Sequence, residues 1–395
     1  MSEQFKKLDN LLKKFIDNKS IPGCACSIMQ GDEIIYEGYY GYSDIASGKL
    51  INSDSIFRQA STTKLFTYAI MGMLFEEGEF LFSDPLSDYL PEWKNTQKYV
   101  VTANGTVETA PLENPITIRH AVAMMCGMPY CMVPAVGAKT PTLAAMSEQM
   151  AKLLATTDGK MANLRDEVRV MANAPVMFEP GSHWQYGFGS EITGALVETM
   201  TGKPLREVFK ERIIEPLELA HTDTYITDAN KDMVVTSYLK KPDGSLVPAP
   251  READSWNLPE YTPVWGRPGL LTSTNDFAKF MQMLANGGKY KGKKFMGEGT
   301  VAMLHENQLD CVSHADFTND YLAGYGYGLG FRTLMTQKYG HNGRLGCFGW
   351  TGGSGTWVEA DPVDKLSIAY MHNMAPNEEL YHHHRVRNVA YGCLL

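Results

Sequence analysis

The sequence lacks any apolar run long enough to cross a bilayer. Its densest stretch, residues 68–75, is about half of the roughly 18 residues that a span requires. It also lacks a basic excess: 36 Lys and Arg stand against 45 Asp and Glu, a formal charge of -9. A nucleic-acid binder needs a basic face to neutralise phosphates, so this balance argues against that class. No C-x-x-C pair occurs among the seven cysteines, Cys24, Cys26, Cys126, Cys131, Cys311, Cys347 and Cys393. Their odd number and wide scatter argue against a disulfide framework, and reduced, mostly buried thiols are expected. His120, Cys126 and Cys131 lack a zinc-ligand spacing, so no metal is expected. The first seven residues carry no basic segment followed by an apolar core. A signal peptide is therefore not expected, and the cytoplasm is the expected compartment.

What is present suits a large globular chain. Hydrophobic residues make up 44% and charged residues 21%, enough apolar content for a core and too little charge for disorder. The length of 395 residues fits two or three domains, or one large composite. Phe5, Leu8, Leu11, Leu12, Phe15 and Ile16 form a stripe that predicts a helix over 3–18. Residues 24–30 and 33–40 read as strands, and Gly31-Asp32 between them is a two-residue hairpin signal. A long helix is predicted from near Ser61 to about Glu77, with Gly78 as its stop. The polar stretch 94–111 reads as an excursion or hairpin, and 226–264 as loops with short strands.

Phe277, Phe280, Met281 and Leu284 set a further helix over 274–286, and another is expected over 297–307. Residues 325–333, 344–350, 356–360 and 365–372 are candidate strands, the last with Leu366, Ile368 and Tyr370 on one face. A final helix is expected over 377–391. Strands thus cluster at both ends of the chain. The expected fold is α/β in the α+β sense: one antiparallel sheet built from both ends, flanked by helices, with a helical lobe from the middle. Residues 1–58 and 265–395 would form the sheet domain and 59–264 the lobe, with the active site between them.

Ser61-Thr-Thr-Lys64 places a hydroxyl and an amine three residues apart, on one face of a helix. A serine needs a neighbouring base to become a nucleophile, and a lysine shielded from water can serve. At a helix N-terminus, unpaired N–H groups also favour a developing oxyanion. The same pattern recurs as Ser237-Tyr-Leu-Lys240, in a turn-rich segment with no helix to align it, and reads there as coincidence. Tyr186-Gly-Phe188 follows the turn signal Glu179-Pro-Gly181 and precedes a predicted helix over 190–200. A tyrosine there can relay protons, although read alone it is a packed aromatic. Gly349-Trp-Thr-Gly-Gly-Ser-Gly355 is a strand rich in glycine, which suits close backbone approach, either by a substrate or by a tight bulge.

Other features read as structural. His382, His383 and His384 are consecutive, cannot share one helical face, and are expected at the surface of the last helix. His341 and Arg344 read as solvated loop residues, and Met124, Met125, Met128 and Met132 as core filler. Asn104-Gly-Thr106 matches a glycosylation acceptor, with no secretion signal beside it.

The order Ser-x-x-Lys, then Tyr-x-x, then Trp-x-Gly resembles the serine β-lactamase and penicillin-binding-protein superfamily. Within it, the sequence is most similar to the class C β-lactamase-like group, which includes family VIII carboxylesterases and side-chain acyltransferases. The likeness spans nearly the whole chain, through Pro22-Gly-Cys-Ala-Cys-Ser27, Ile116-Thr-Ile-Arg-His120, Cys126-Gly127-Met128, Pro268-Gly-Leu-Leu-Thr-Ser-Thr274 and residues 348–362. It implies a β-lactamase/transpeptidase-like fold and a serine hydrolase without a cofactor. It also implies that Ser61 forms the acyl-enzyme, that Lys64 is the first candidate for deprotonating it, and that Tyr186 is the general base or proton relay, with either Lys64 or Tyr186 taking the first proton. Backbone N–H groups of Ser61 and Gly353 would line the oxyanion hole, and Trp350, Thr351, Gly352 and Phe188 would contact substrate.

Two departures bear on substrate. The family's Tyr-x-Asn is here Tyr186-Gly-Phe188, and the lysine of its Lys-Thr-Gly is here Trp350. Both changes make the pocket less polar and remove groups suited to a β-lactam. The expectation is a carboxylesterase or acyltransferase acting on a small-molecule acyl ester or thioester. A β-lactamase or D-amino-acid-directed peptidase is the alternative, and a catalytically silent binding protein on the same fold is the alternative of another class. Cys126, where the group usually has serine, reads as a small buried residue. Neither a nucleic-acid nor a membrane partner is expected.

Overall fold

The computed structural model describes residues 3–130, 140–156, 163–250, 254, 257–258, 269–317 and 320–394. Gly31 and Asp32 both adopt left-handed backbone, with φ of 54° and 73°, as a two-residue turn between twisted strands demands. They join β1 (Gly23–Gln30) to β2 (Glu33–Asp44), and β3 (Lys49–Leu50) pairs beyond it. The other strands of this sheet come from the end of the chain: β4 (Tyr325–Tyr327), β5 (Arg332–Leu334), β6 (Phe348–Gly352), β7 (Thr356–Asp361) and β8 (Leu366–Met371). The order is β4-β5-β6-β7-β8-β1-β2-β3, with every neighbouring pair antiparallel. The expected sheet, drawn from both ends, is therefore observed.

The two-residue period of the strands sorts the side chains into two cores. Cys24, Cys26 and Ile28 share a face with Leu366, Ile368 and Tyr370. That face is covered by Leu8, Leu12 and Phe15 of α1 (Lys6–Asp17) and by Val386 and Ala390 of α5 (Glu379–Cys393). Each such buried side chain contributes about 1.5–3 kcal/mol. The opposite face, with Ala25, Met29, Ala369 and Met371, packs on α4 (Thr274–Ala285) and continues into the core of the helical segment. The Ser367 hydroxyl donates to the Ala278 carbonyl at 2.8 Å, which seats α4 on β8. At the centre of the larger core lies α2 (Lys64–Glu76), buried without interruption from Lys64 to Leu74. Phe66 meets the rings of Phe209, Phe277 and Phe280 there. A helix apolar on all sides is one the fold surrounds. Against α2 packs α3 (Gly189–Thr201).

Some expectations need correction and others hold. Residues 325–333 form two antiparallel strands, not one. Between them Gly330 turns at φ 97°, and a Cβ there would lie 2.0 Å from the Tyr68 ring. The strand expected over 344–350 begins only at Phe348. The polar stretch 94–111 is a hairpin, Gln97–Val101 against Val107–Pro111. His382 and His383 are not at the surface: they are 0% and 3% exposed. Because α5 is covered on more than one side, each ring meets a polar partner inside, His382 with Ser20 at 2.7 Å and His383 Nδ1 with Thr351 at 3.2 Å. His341 is also buried, against the Ala323 carbonyl and Arg387, whereas Arg344 is largely exposed and pairs with Asp364. Met124, Met125 and Met128 are core residues, and Cys126 is buried, its thiol pushed up to about 12 by desolvation. Lys240 pairs with Glu378, so the second Ser-x-x-Lys forms no Ser–Lys couple. Cys131, Met132 and Pro268 lie outside the described residues.

The buried histidines make stability depend on pH. Burial lowers His372 to about 3 and His382 to about 4, so both stay neutral in the folded chain. The unfolded chain binds those protons below about pH 6.5, so this contribution is complete above pH 6.5 and is lost as pH falls towards 4. Each ring then contributes a loss of about 1.4 kcal/mol per pH unit across that window. The melting temperature should fall steeply between pH 7 and pH 5, and less steeply in His382→Gln. Equal slopes for the two proteins would refute this account.

Candidate active site

The segment before α2 is shaped by three short contacts. Gln59 is buried and its amide donates to the Phe57 carbonyl at 2.9 Å. Ala60 follows in the left-handed region at φ 47°, a conformation that costs a non-glycine residue about 1 kcal/mol or more. Residues Ala60–Thr63 then form a 3-10 turn, where an α-helical start was expected. The Thr62 hydroxyl donates to the Gln59 carbonyl at 2.8 Å, and the Thr63 hydroxyl accepts from the Leu270 N–H at 3.1 Å. Side chains three apart eclipse in such a turn. That eclipse brings Lys64 Nζ within 3.2 Å of Ser61 Oγ. Ser61 is half-buried, and Lys64 is only 4% exposed.

Two tyrosines wall this pair. Lys64 Nζ lies 5.5 Å from the centre of the Tyr186 ring and 5.7 Å from that of Tyr130, within cation–π range. Tyr186 is held by the loop leading into α3. The Gln185 N–H donates to the Met124 carbonyl and the Phe188 N–H to the Met128 carbonyl. Gly187 between them passes so close to that carbonyl that a Cβ would lie 2.0 Å away. Phe188 is fully buried and packs edge-on to Tyr130, so it supports the wall from behind and offers no open face.

The third side is β6. Trp350 stacks on Tyr186 with centroids 5.5 Å apart, and its indole N–H donates to the Tyr186 hydroxyl at 3.3 Å. The Arg332 guanidinium sits 5.9 Å from the indole and 4.6 Å from the Tyr325 ring. Thr351 and Gly352 are buried. A Cβ on Gly352 would lie 2.3 Å from the Gln59 carbonyl, which accounts for one glycine of the run. The Ser354 hydroxyl donates to the Arg58 carbonyl at 2.6 Å and the Thr356 hydroxyl to the Gln59 carbonyl at 3.1 Å. The β6–β7 turn is thereby fixed to the backbone just before Ser61. Gly353 lies in that turn, exposed, with no atom within 4 Å of the Cβ position.

Ser61, Lys64, Tyr186 and Trp350 are thus brought together from segments far apart in the chain, and Gly353 lies in a turn bound beside them. Tyr130 and Arg332 were not anticipated. Neither stands in a spacing relation to Ser61, and only the segment leading to Tyr130 and the hairpin β4–β5 bring them in. Among the described residues no group of three or more His, Cys, Asp or Glu could hold a metal ion. Among them, too, no helix is long and apolar enough to cross a membrane.

This mixed fold with its antiparallel sheet is of the β-lactamase and penicillin-binding-protein-like kind. The Beta-lactamase family model matches residues 8–391, and the chain belongs to that family. It is similar to Esterase EstB of Burkholderia gladioli, at 27% identity over 211 residues, covering 53% of this chain and 49% of that protein. Among solved structures it is similar to EstCE1, described as a hydrolase with promiscuous acyltransferase activity. The TM-score is 0.78 at 23% identity, over 98% of both chains. It is also similar to unliganded simvastatin synthase (LovD) of Aspergillus terreus, with a TM-score of 0.79 at 19% identity over 99% of both chains. The family is one of serine hydrolases with esterase and acyltransferase neighbours.

Proposed function

We propose that this protein is a serine hydrolase that forms an acyl-enzyme on Ser61 and acts as a carboxylesterase or acyltransferase on small acyl esters or thioesters. The observation that carries this reading is the 3.2 Å contact between Lys64 Nζ and Ser61 Oγ beneath an aromatic wall. In this reading Lys64 takes the Ser61 proton as Oγ attacks the acyl carbonyl. The tetrahedral oxyanion is held by the N–H groups of Ser61 and Gly353. As the carbon–oxygen or carbon–sulfur bond to the leaving group breaks, Tyr186 passes a proton to it, and the Trp350 indole N–H steadies the phenol oxygen during that transfer. Water or an acceptor alcohol or amine then attacks the acyl-enzyme by the reverse proton route. The name of Esterase EstB supports an ester substrate, and the description of EstCE1 supports acyl transfer.

The substitutions around Ser61 favour esters over β-lactams. Where the group carries a lysine and an asparagine, this chain has Trp350, stacked on Tyr186, and Phe188, buried behind Tyr130. Neither offers a cation or an amide to a β-lactam. The test is a comparison of acylation rates by an aryl butyrate, a cephalosporin and a D-alanyl ester under one set of conditions. The aryl ester should be faster by about a hundredfold or more, the range that loss of paired polar contacts produces. A cephalosporin or D-alanyl ester reacting faster would transfer the assignment to a β-lactamase or peptidase.

A further inference from the structure

Thr351 follows Trp350 on β6, so the two side chains leave opposite faces of the strand. Its hydroxyl is engaged on all sides. It donates to Glu379 Oε2 at 2.6 Å, and it lies 3.2 Å from both His383 Nδ1 and the Thr356 carbonyl. A hydroxyl has one proton, and while Glu379 holds it none remains for a substrate anion. The Asn377 amide contacts the Gly352 carbonyl at 3.4 Å, so the start of α5 is fastened to the end of β6. Glu379 is not sealed in: a fifth of its side chain is exposed. With Asp320, Tyr321 and Asn377 it lines an open hollow of about 700 Å³. Tyr321 meets the edge of Trp350, with ring centroids 6.5 Å apart, so the hollow begins where the aromatic wall ends. Among the described residues no lysine or arginine lines it. Of the cations near it among the described residues, Lys240 pairs with Glu378, Arg332 is buried and bonds the Tyr321 carbonyl, and Arg385 lies over the Tyr381 ring and bonds the Tyr381 carbonyl.

We propose that Glu379 is a specificity-determining residue. It occupies the Thr351 hydroxyl and sets a negative charge beside Trp350, so the cleft rejects acyl donors bearing a carboxylate on that side and accepts neutral or cationic ones. The inference rests on the acyl-ester reading of the cleft and adds to it the charge class of the substrate. The physical cause is like-charge repulsion in a partly shielded site, together with a hydroxyl no longer free to donate.

The test uses aryl esters with a carboxylate on the acyl chain or on the leaving group, each against its methyl-capped counterpart. The wild type should favour the capped member of at least one pair. In Glu379→Gln that preference should shrink by about tenfold or more, and in Glu379→Asp it should persist. The ratio is the readout, because a general loss of folding or activity lowers both members alike. A second measurement needs no variant: raising salt to about 1 M should narrow the wild-type ratio, since screening weakens exposed charge repulsion. Turnover with equal rates for charged and capped esters overturns the inference alone, as does a ratio that Glu379→Gln leaves unchanged. No turnover of any ester, together with no label on Ser61, overturns the acyl-ester reading itself.

Discussion

Ser61→Ala should lose all covalent labelling by a fluorophosphonate, while the wild type gains a single adduct by intact mass. Ester turnover should fall by about a thousandfold or more, to what positioning and the remaining hydrogen-bond donors achieve alone. The site geometry makes this a sharp test. Ser61 is followed directly by buried Thr62 and Thr63, whose hydroxyls are already engaged with Gln59 and Leu270. Neither threonine is therefore available to replace it. The serine-to-alanine change removes one half-buried oxygen and leaves the 3-10 turn intact, so thermal stability should stay within about 0.5 kcal/mol. A wild type that takes no adduct would sink the hydrolase reading and revive the silent binding protein. An adduct that persists in Ser61→Ala would move the nucleophile elsewhere.

Lys64→Met should slow acylation by the same probe about a thousandfold, the middle of the range for losing a general base. Methionine keeps an unbranched stem in the buried groove between Tyr130 and Tyr186, so the packing loss is small. Lys64→Arg separates two explanations. A guanidinium keeps its proton at any accessible pH, so it restores charge but not a base. If Lys64 only supplied positive charge to the site, arginine would rescue much of the rate. The proposed role predicts that it does not, and that acylation by Lys64→Arg stays within about tenfold of Lys64→Met. Rescue to near wild-type rates would reassign the first proton transfer to Tyr186.

The pairing of these residues was legible because their relation is local. Ser61 and Lys64 sit three apart, and a short tight turn is enough to make them meet. The alternation of Leu366, Ile368 and Tyr370 was equally clear, since one face of β8 is buried under α1 and α5. What escaped the sequence was set by packing at long range. Residues 325–333 read as one strand because their aromatic and glycine content looks continuous, and only the approach of Tyr68 shows why Gly330 must turn. Three consecutive histidines read as surface, yet the helix carrying them is covered on more than one side and each buried ring finds a polar partner. Glu379 and Tyr130 carry no pattern at all. Glu379 reaches β6 only because the start of α5 is bound to it, and Tyr130 reaches Lys64 through a loop whose course glycine and backbone bonds decide.

The strand order also constrains how the molecule assembles. β1 lies between β2 and β8, so Ala25 is paired with Met371 near the other end of the chain. During synthesis the first hairpin emerges with one edge open, and the strand that closes it is made among the last. Such distant pairing delays the reward for ordering the chain and slows folding. The same closure brings the β6–β7 turn against the segment preceding Ser61. The surroundings of Ser61, the proposed nucleophile, therefore exist only once the β6–β7 turn has been made, and a ribosome-bound intermediate that carries Ser61 without that turn should be chemically inert.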